Sequence, residues 1–359
     1  MKLITRPGAK QAPRYLSDML PEDTGQVMAD LSANENPLGP SVASKDAFTA
    51  AVENLWRYPD GACETLRSAL AVHFKADATR ITCGAGSDEL ITLITRIFAG
   101  QGDEVIYSEY GFVMFPINII RAGATPVKTQ ALGRGTDVNA MIAGITEKTR
   151  IIFLANPNNP TGTCLNAREL YALASQIPPH VIFVIDSAYA EYVDWPDYED
   201  GMKLADQFPN VIMLRTFSKF YGLAGLRLGW CYASAEIIDL LERARGPYNV
   251  SLPAQAAGSV ALSDLEHAQR TLEHNRIWRK NVSEGMQKCG IAVEESAANF
   301  VLAEFPDAEI AGRAWRYLLA HGILTRPLAG YQLPECLRIT IGLPEQNQQL
   351  IEVLGKFSA

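Results

Sequence analysis

Val181-Ile182-Phe183-Val184-Ile185 is an unbroken apolar run that stops abruptly at a carboxylate, Asp186, and it is one of a series. Ile81-Thr82-Cys83, Val105-Ile106-Tyr107, Ile151-Ile152-Phe153-Leu154 and Val211-Ile212-Met213-Leu214 are shorter segments of similar texture. A strand with one wet face alternates apolar and polar residues, whereas runs without alternation belong to strands covered on both faces. The segments between the runs supply the cover. After Ser87, apolar residues at Leu90, Ile91, Leu93, Ile94, Ile97 and Phe98 follow helical spacing, with Ser87 as the cap and Gly100 as the stop. The pattern from about residue 78 to 245 therefore predicts an α/β unit with a mostly parallel sheet.

Beyond about 245 the texture changes to long helical stretches from Leu252 to about Lys288. Strand candidates follow at Phe300-Val301-Leu302-Ala303, Ile323-Leu324-Thr325 and Leu337-Arg338-Ile339-Thr340, with helices near 308–320 and 344–356. This is a smaller α+β unit. The division expected is 37–245 for the large α/β domain, and 246–359 with the N-terminal segment 1–36 for the small one. A length of 359 residues suits that arrangement.

A formal net charge of −8 argues against nucleic acid or an anionic membrane as the main partner, although it leaves room for a local basic pocket. Six cysteines stand singly, with no CxxC or Cys/His cluster, which gives no zinc-ligand spacing and suits a reducing compartment. The opening Met1-Lys2-Leu3-Ile4-Thr5-Arg6-Pro7-Gly8 has no apolar signal region, and no run reaches the length of a membrane span. The expectation is a cytoplasmic protein that acts on small molecules, without a metal.

In open α/β sheets, ligands bind outside the carboxyl ends of the strands, so polar residues directly after the apolar runs are the candidates. Asp186 is followed by Ser187-Ala188-Tyr189; Val211 to Leu214 is followed by Arg215-Thr216-Phe217-Ser218-Lys219 and Gly225-Leu226-Arg227-Leu228-Gly229. Ile151 to Leu154 leads into Asn156-Pro157-Asn158-Asn159-Pro160-Thr161-Gly162, a turn rich in amides. Gly84-Ala85-Gly86-Ser87-Asp88 lies between a strand and a helix start, where free N–H groups attract phosphate. An amine, a carboxylate and an anion cradle are what pyridoxal phosphate needs: a partner for its aldehyde, one that keeps its ring nitrogen protonated, and a seat for its phosphate. Lys219 supplies the amine and Asp186 the carboxylate; Thr216, Ser218, Arg227 and the helix start at Ser87 form the seat; Tyr189 and Asn159 reach the ring hydroxyl. Taken singly these features are ordinary caps, turns and surface pairs; the reading rests on their joint presence in this order. A dinucleotide fingerprint is excluded, since Glu89 stands where G-x-G-x-x-G needs its third glycine.

Asn159-Pro160-Thr161-Gly162, Asp186-x-x-Tyr189, Thr216-Phe217-Ser218-Lys219 and Gly225-Leu226-Arg227-Leu228-Gly229 resemble the fold-type I, pyridoxal-phosphate-dependent aminotransferases. Asn34-Glu35-Asn36-Pro37-Leu38-Gly39-Pro40, Arg57-Tyr58-Pro59-Asp60-Gly61, Tyr110-Gly111-Phe112 and Leu337-Arg338-Ile339-Thr340-Ile341-Gly342 are similar to the histidinol-phosphate aminotransferase group within them. The resemblance implies that Tyr110 stacks on the cofactor ring and that Ser87 and Asp88 offer backbone N–H groups to its phosphate. It implies that Tyr58 reaches the cofactor phosphate or substrate of a neighbouring subunit, hence a homodimer. Arg338 would bind the anionic end of the substrate, Arg326 in Thr325-Arg326-Pro327 would help hold a substrate phosphate, and Tyr15 would be the tyrosine that closes over substrate. Two stretches depart from the pattern. Asp186-Ser187-Ala188-Tyr189 stands where many relatives have Asp-Glu-Ala-Tyr, and Ala12-Pro13-Arg14-Tyr15-Leu16-Ser17 does not match the family segment clearly.

The activity this implies is exchange of an amino group between L-histidinol phosphate and 2-oxoglutarate, in histidine biosynthesis. A guanidinium fork matches carboxylate and phosphate alike, and two arginines suit a phosphate dianion better than one. The alternatives are an aromatic amino acid aminotransferase, a related decarboxylase of a phosphorylated amino acid, and a regulator with an aminotransferase-like effector domain. No residues are left over for the DNA-binding unit that the last would need.

Overall fold

The computed structural model describes residue 5 and residues 8–14 and 27–358. Its central sheet has seven strands: β1 (Ile81–Gly84), β2 (Glu104–Ser108), β3 (Thr125–Thr129), β4 (Thr149–Ala155), β5 (Ile182–Asp186), β6 (Val211–Thr216) and β7 (Gly229–Tyr232). Their order is β1-β7-β6-β5-β4-β2-β3. Strands β2 to β6 pair in parallel, and β7 runs antiparallel to both β1 and β6. The absence of alternation in the apolar runs has its cause here. Ile152, Leu154, Phe183 and Ile185 enter a core on one face, and Ile151, Phe153, Ile182 and Val184 a second core on the other.

Two strands carried no apolar run. β3 is Thr-Pro-Val-Lys-Thr at the sheet edge, where Pro126 removes no interior ladder bond and Lys128 stays partly exposed. β7 is Gly-Trp-Cys-Tyr, too short for a periodic signal yet wholly buried. The helix after β1 spans Ser87–Phe98, so Ser87 is its first residue and Gly86, at φ +88°, is its cap, while Ala99 ends it.

The second sheet is antiparallel, made of β8 (Ala292–Val293), β9 (Phe300–Glu304), β10 (Arg326–Leu328) and β11 (Leu333–Thr340), in the order β8-β9-β11-β10. Helices Leu265–Lys288, Ala308–Ala320 and Pro344–Leu354 enclose its core of Val282, Met286, Val301, Leu318, Leu337, Ile339 and Leu350. Ala29–Asp30 pairs in parallel with Ile323–Leu324, which attaches the N-terminal segment to this unit. The helical stretch from 252 is broken at Asp264, whose side chain accepts from the N–H of His267 and starts the second helix. Leu252–Ala261 gives Ala254, Ala257 and Ala261 to the core shared with Leu66 and Phe217 of the larger unit. No helix among the described residues is long and apolar enough to cross a membrane.

Candidate active site

A cavity of about 530 Å³ opens at the carboxyl ends of β4, β5 and β6, with Ala155, Asp186 and Thr216 in its wall. The last residue of β5 is Asp186, so the apolar run delivers the carboxylate to the cavity floor; the turn after β6 delivers Ser218 and Lys219. Arg338 and Arg326 enter from the second sheet. The sequence candidates Ser87, Asp88, Asn159, Tyr189 and Arg227 line the same space.

Burial holds the Lys219 ammonium well below the usual lysine range, at about 8; Arg338 and Arg227 push the same way, against Glu35 and Asp88. Its Nζ donates to the carbonyl of Ala33 at 2.9 Å. Burial thereby raises the neutral, nucleophilic fraction of this amine near physiological pH. Asp186 is shifted the other way. Burial, with the nearby Asp88 charge, raises it to about 7, opposed by the Ala188 N–H and by Lys219. Asp186 is 4% exposed, and its Oδ1 has no hydrogen-bond partner among the described residues.

Tyr189 accepts from Asn34 Nδ2 at its hydroxyl (2.9 Å) and sets its ring edge-on to Phe300 at 5.3 Å. Burial pushes its phenol up to about 12, so it keeps its proton for donation into the cavity. The anion seat is built from backbone as much as from side chains. No side chain caps the helix starting at Ser87, and that leaves its first N–H groups to a ligand. A Cβ at Gly229 would collide with the Ser87 backbone nitrogen, and one at Gly86 would lie 2.6 Å from Arg227 Nη2. Arg227, itself at φ +51°, donates to Ser218 Oγ at 3.2 Å, and Ser218 N–H donates to Thr216 Oγ1 at 3.1 Å.

These features fit pyridoxal phosphate: a neutralisable amine, a buried carboxylate oxygen without a donor, and a cradle of N–H, hydroxyl and guanidinium groups. Arg227→Ala is expected to weaken cofactor binding by about tenfold or more, the worth of a charge-assisted hydrogen bond. Absorbance titration of the cofactor-free protein checks it; unchanged affinity removes Arg227 from the seat.

Across the cavity, Arg338 donates from Nη1 to Asn159 Oδ1 and from Nη2 to the Ser32 carbonyl, both at 2.5 Å. Arg326 lies directly opposite Arg338 in the antiparallel pair β10–β11. Like charges facing each other across a ladder repel. Two cavity-lining guanidinium groups held that way make a strongly anion-attracting wall.

Three tyrosines stand apart. Tyr110 lies outside the cavity wall, packed with Tyr331 against Leu302, Leu328, Leu333 and Cys336, while Phe112 from the same loop lines the cavity. Tyr58 is 80% exposed and stacks on Tyr248 at 4.6 Å, away from this cavity. Tyr15 falls outside the described residues. Asn34 joins the site without a local signal: its left-handed backbone (φ +56°) sits between Tyr189 and Thr340. An Asn-Glu-Asn-Pro stretch hints at such a turn, but nothing local says which tyrosine it serves.

The family model for aminotransferase class I and II matches residues 26–354. The histidinol-phosphate aminotransferase of Rhodospirillum centenum is 46% identical over 326 residues, 90% of each chain. That of Dinoroseobacter shibae is 43% identical over 358 residues, covering 100% of this chain and 99% of its own. Among solved structures, histidinol-phosphate aminotransferase from Sinorhizobium meliloti, in complex with pyridoxal-5'-phosphate, superposes with a TM-score of 0.88 at 27% identity, over 99% of this chain and 95% of its own.

Proposed function

The chain belongs to the aminotransferase class I and II family, and from that premise we propose that it moves the amino group of L-histidinol phosphate to 2-oxoglutarate, giving imidazole acetol phosphate and L-glutamate. It is a pyridoxal-phosphate-dependent transaminase. The observation that carries the substrate is the Arg326–Arg338 pair, opposed across one ladder and lining the cavity that holds Lys219. A single carboxylate is matched by one guanidinium fork; a phosphate dianion uses two.

Bound in this cavity, the cofactor supplies an electrophilic aldehyde and a ring that takes up the electron pair left when a substrate Cα–H bond breaks. The residues do the rest. Ser87, Asp88, Thr216, Ser218 and Arg227 would hold its phosphate, the first two through backbone N–H groups. Asp186 would hold the ring nitrogen in its protonated form, and Tyr189 with Asn159 would bind the ring hydroxyl. Arg338, braced by Asn159 and Ser32, orients the anionic end of either substrate. Lys219 Nζ would remove the Cα proton as general base and return one to Cα in the reverse half-reaction.

The same reading gives Tyr58 its work in a homodimer. Val42, Leu55, Trp56 and Tyr58 are exposed on and just after helix Val42–Val52, an apolar surface suited to cover by a second copy. Sedimentation at twice the chain mass supports it; a monomer at micromolar concentration contradicts it.

Arg326→Ala separates the substrate readings. It is expected to lower kcat/KM for histidinol phosphate by about 100-fold while costing phenylalanine far less, because a phosphate contact is lost. Wild-type kcat/KM higher for phenylalanine than for histidinol phosphate would replace the proposal with an aromatic aminotransferase, and release of carbon dioxide would replace it with a decarboxylase.

A further inference from the structure

Two residues from distant parts of the chain fix the direction in which the Tyr189 hydroxyl can donate. Asn34 lies in the N-terminal segment, Thr340 ends β11, and both are buried. The Asn34 backbone N–H donates to Thr340 Oγ1 at 2.9 Å. The Thr340 hydroxyl proton meets one acceptor among the described residues, the Asn34 side-chain oxygen Oδ1, at 3.2 Å. That contact orients the amide. Turned over, its NH2 would face a hydroxyl that already accepts an N–H, and the buried Thr340 proton would have no acceptor. Nδ2 is therefore the Asn34 atom that meets the Tyr189 hydroxyl, at 2.9 Å. Asn299 Nδ2 donates to the Asn34 carbonyl at 3.0 Å, so the backbone beneath the amide is tied as well.

An amide NH2 only donates, and a phenol carries a single proton. With Asn34 donating to the phenol oxygen, the Tyr189 proton is left for another acceptor, and it has none among the described residues. Tyr189 and Asn34 both line the cavity that holds Lys219. The hydrogen bonds thus run in one sense, from Thr340 to Asn34 to Tyr189, and successive bonds of this kind polarise one another.

We infer that Asn34, oriented by Thr340, is a positioning residue that turns the Tyr189 proton onto the oxygen of the cofactor's ring hydroxyl and so tunes the proton affinity of the bound chromophore. This rests on the reading of Tyr189 as a ligand of that oxygen. A donor there favours the anionic oxygen. Losing the donor raises the pH at which the chromophore gives up its proton. Arg338, Asp186 and Tyr331 also act on Tyr189, and Arg338, Glu35, Asp88 and Arg227 on Lys219. None of these is altered in the variants that follow, so their fields are common to all of them.

Asn34→Asp keeps the shape, but an ionised carboxylate only accepts, so the Tyr189 proton turns to it and away from the cavity. The added charge also acts on the chromophore directly, and a double-mutant cycle with Tyr189→Phe separates the two effects. Absorbance of the pyridoxal-phosphate-loaded protein, followed against pH, is the readout. The midpoint should rise by about one pH unit in Tyr189→Phe and by at least as much in Asn34→Asp. In the Tyr189→Phe background, Asn34→Asp should add clearly less than it does alone, because the hydroxyl it turns is gone. Thr340→Val should raise the midpoint without any new charge, and Thr340→Ser should keep it at the wild-type value; this pair decides if Asn34→Asp fails to fold. An Asn34→Asp shift of equal size in both backgrounds, or a wild-type midpoint in Thr340→Val, overturns the inference and leaves Tyr189 at the ring hydroxyl. An unmoved midpoint in Tyr189→Phe defeats the reading of Tyr189 itself, and the inference with it.

Discussion

Lys219→Ala is expected to abolish transamination, with kcat reduced by at least about 10⁴-fold, the upper range for loss of a general base alone. The variant should still fold. Lys219 Nζ makes one hydrogen bond, to the Ala33 carbonyl, and its charged form is disfavoured by burial. Removing it takes an ill-solvated cation from the cavity and leaves one carbonyl to be met by water. Circular dichroism and thermal melting report the fold, and single-turnover kinetics with glutamate report the chemistry. A folded variant with near wild-type turnover would falsify the assignment of the amine.

Asp186→Ala should behave differently, keeping the cofactor and losing the chemistry. The phosphate seat and Lys219 are untouched, so cofactor affinity changes modestly. Removal of the Cα proton should slow by about 10³-fold or more, as for other losses of a preorganised electrostatic partner. Exchange of the substrate Cα hydrogen with solvent measures that step directly, and rapid exchange in the variant would contradict the role. A stability effect accompanies it. Burial lifts this carboxyl from the ordinary range to about 7, a preference of roughly 4 kcal/mol for the neutral acid. A raised folded-state value contributes stability at low pH that is lost as pH rises through about 7. The cofactor-free variant should therefore melt above the cofactor-free wild type at pH 8 and lose that advantage toward about pH 4.

The central sheet was legible because burial on both faces leaves no alternation, and Ile151 to Leu154 or Val181 to Ile185 can hardly be read otherwise. β3 and β7 were not, since an edge strand with a proline and a four-residue strand opening on glycine lack that pattern. Lys219, Asp186, Tyr189, Thr216, Ser218 and Arg227, which line one cavity, were readable as candidates because each lies at or just after a strand end or in a glycine-rich turn, where chemistry and local sequence coincide. What escaped is long-range. Asn34 meets Tyr189 from 155 residues away and Thr340 from 306. Arg326 opposes Arg338 only through a β-register that no local pattern fixes. Phe112, rather than the expected Tyr110, is the aromatic residue of that loop in the cavity wall, while Tyr110 packs against the cluster of Leu302, Leu328, Leu333 and Cys336.

The support beneath the site was hidden as well. Buried Arg215 bridges Glu191 (2.7 Å) and Asp200, and Ser187 Oγ donates to the Asp200 carbonyl at 2.6 Å. The segment after Asp186 is thereby tied to the strand that leads to Lys219. Ser187, the residue that departs from the family pattern, is fully buried in this network rather than lining the cavity. Breaking a buried charge network is strongly destabilising when one partner is removed, so Arg215 belongs to the frame that holds the site.

Borohydride reduction of the pyridoxal-phosphate-loaded protein, followed by peptide mapping, tests the central assignment most directly. A pyridoxyl mass on the peptide containing Lys219, and on no other lysine, is the outcome required. Label on a different lysine, or none on a protein that transaminates, contradicts it.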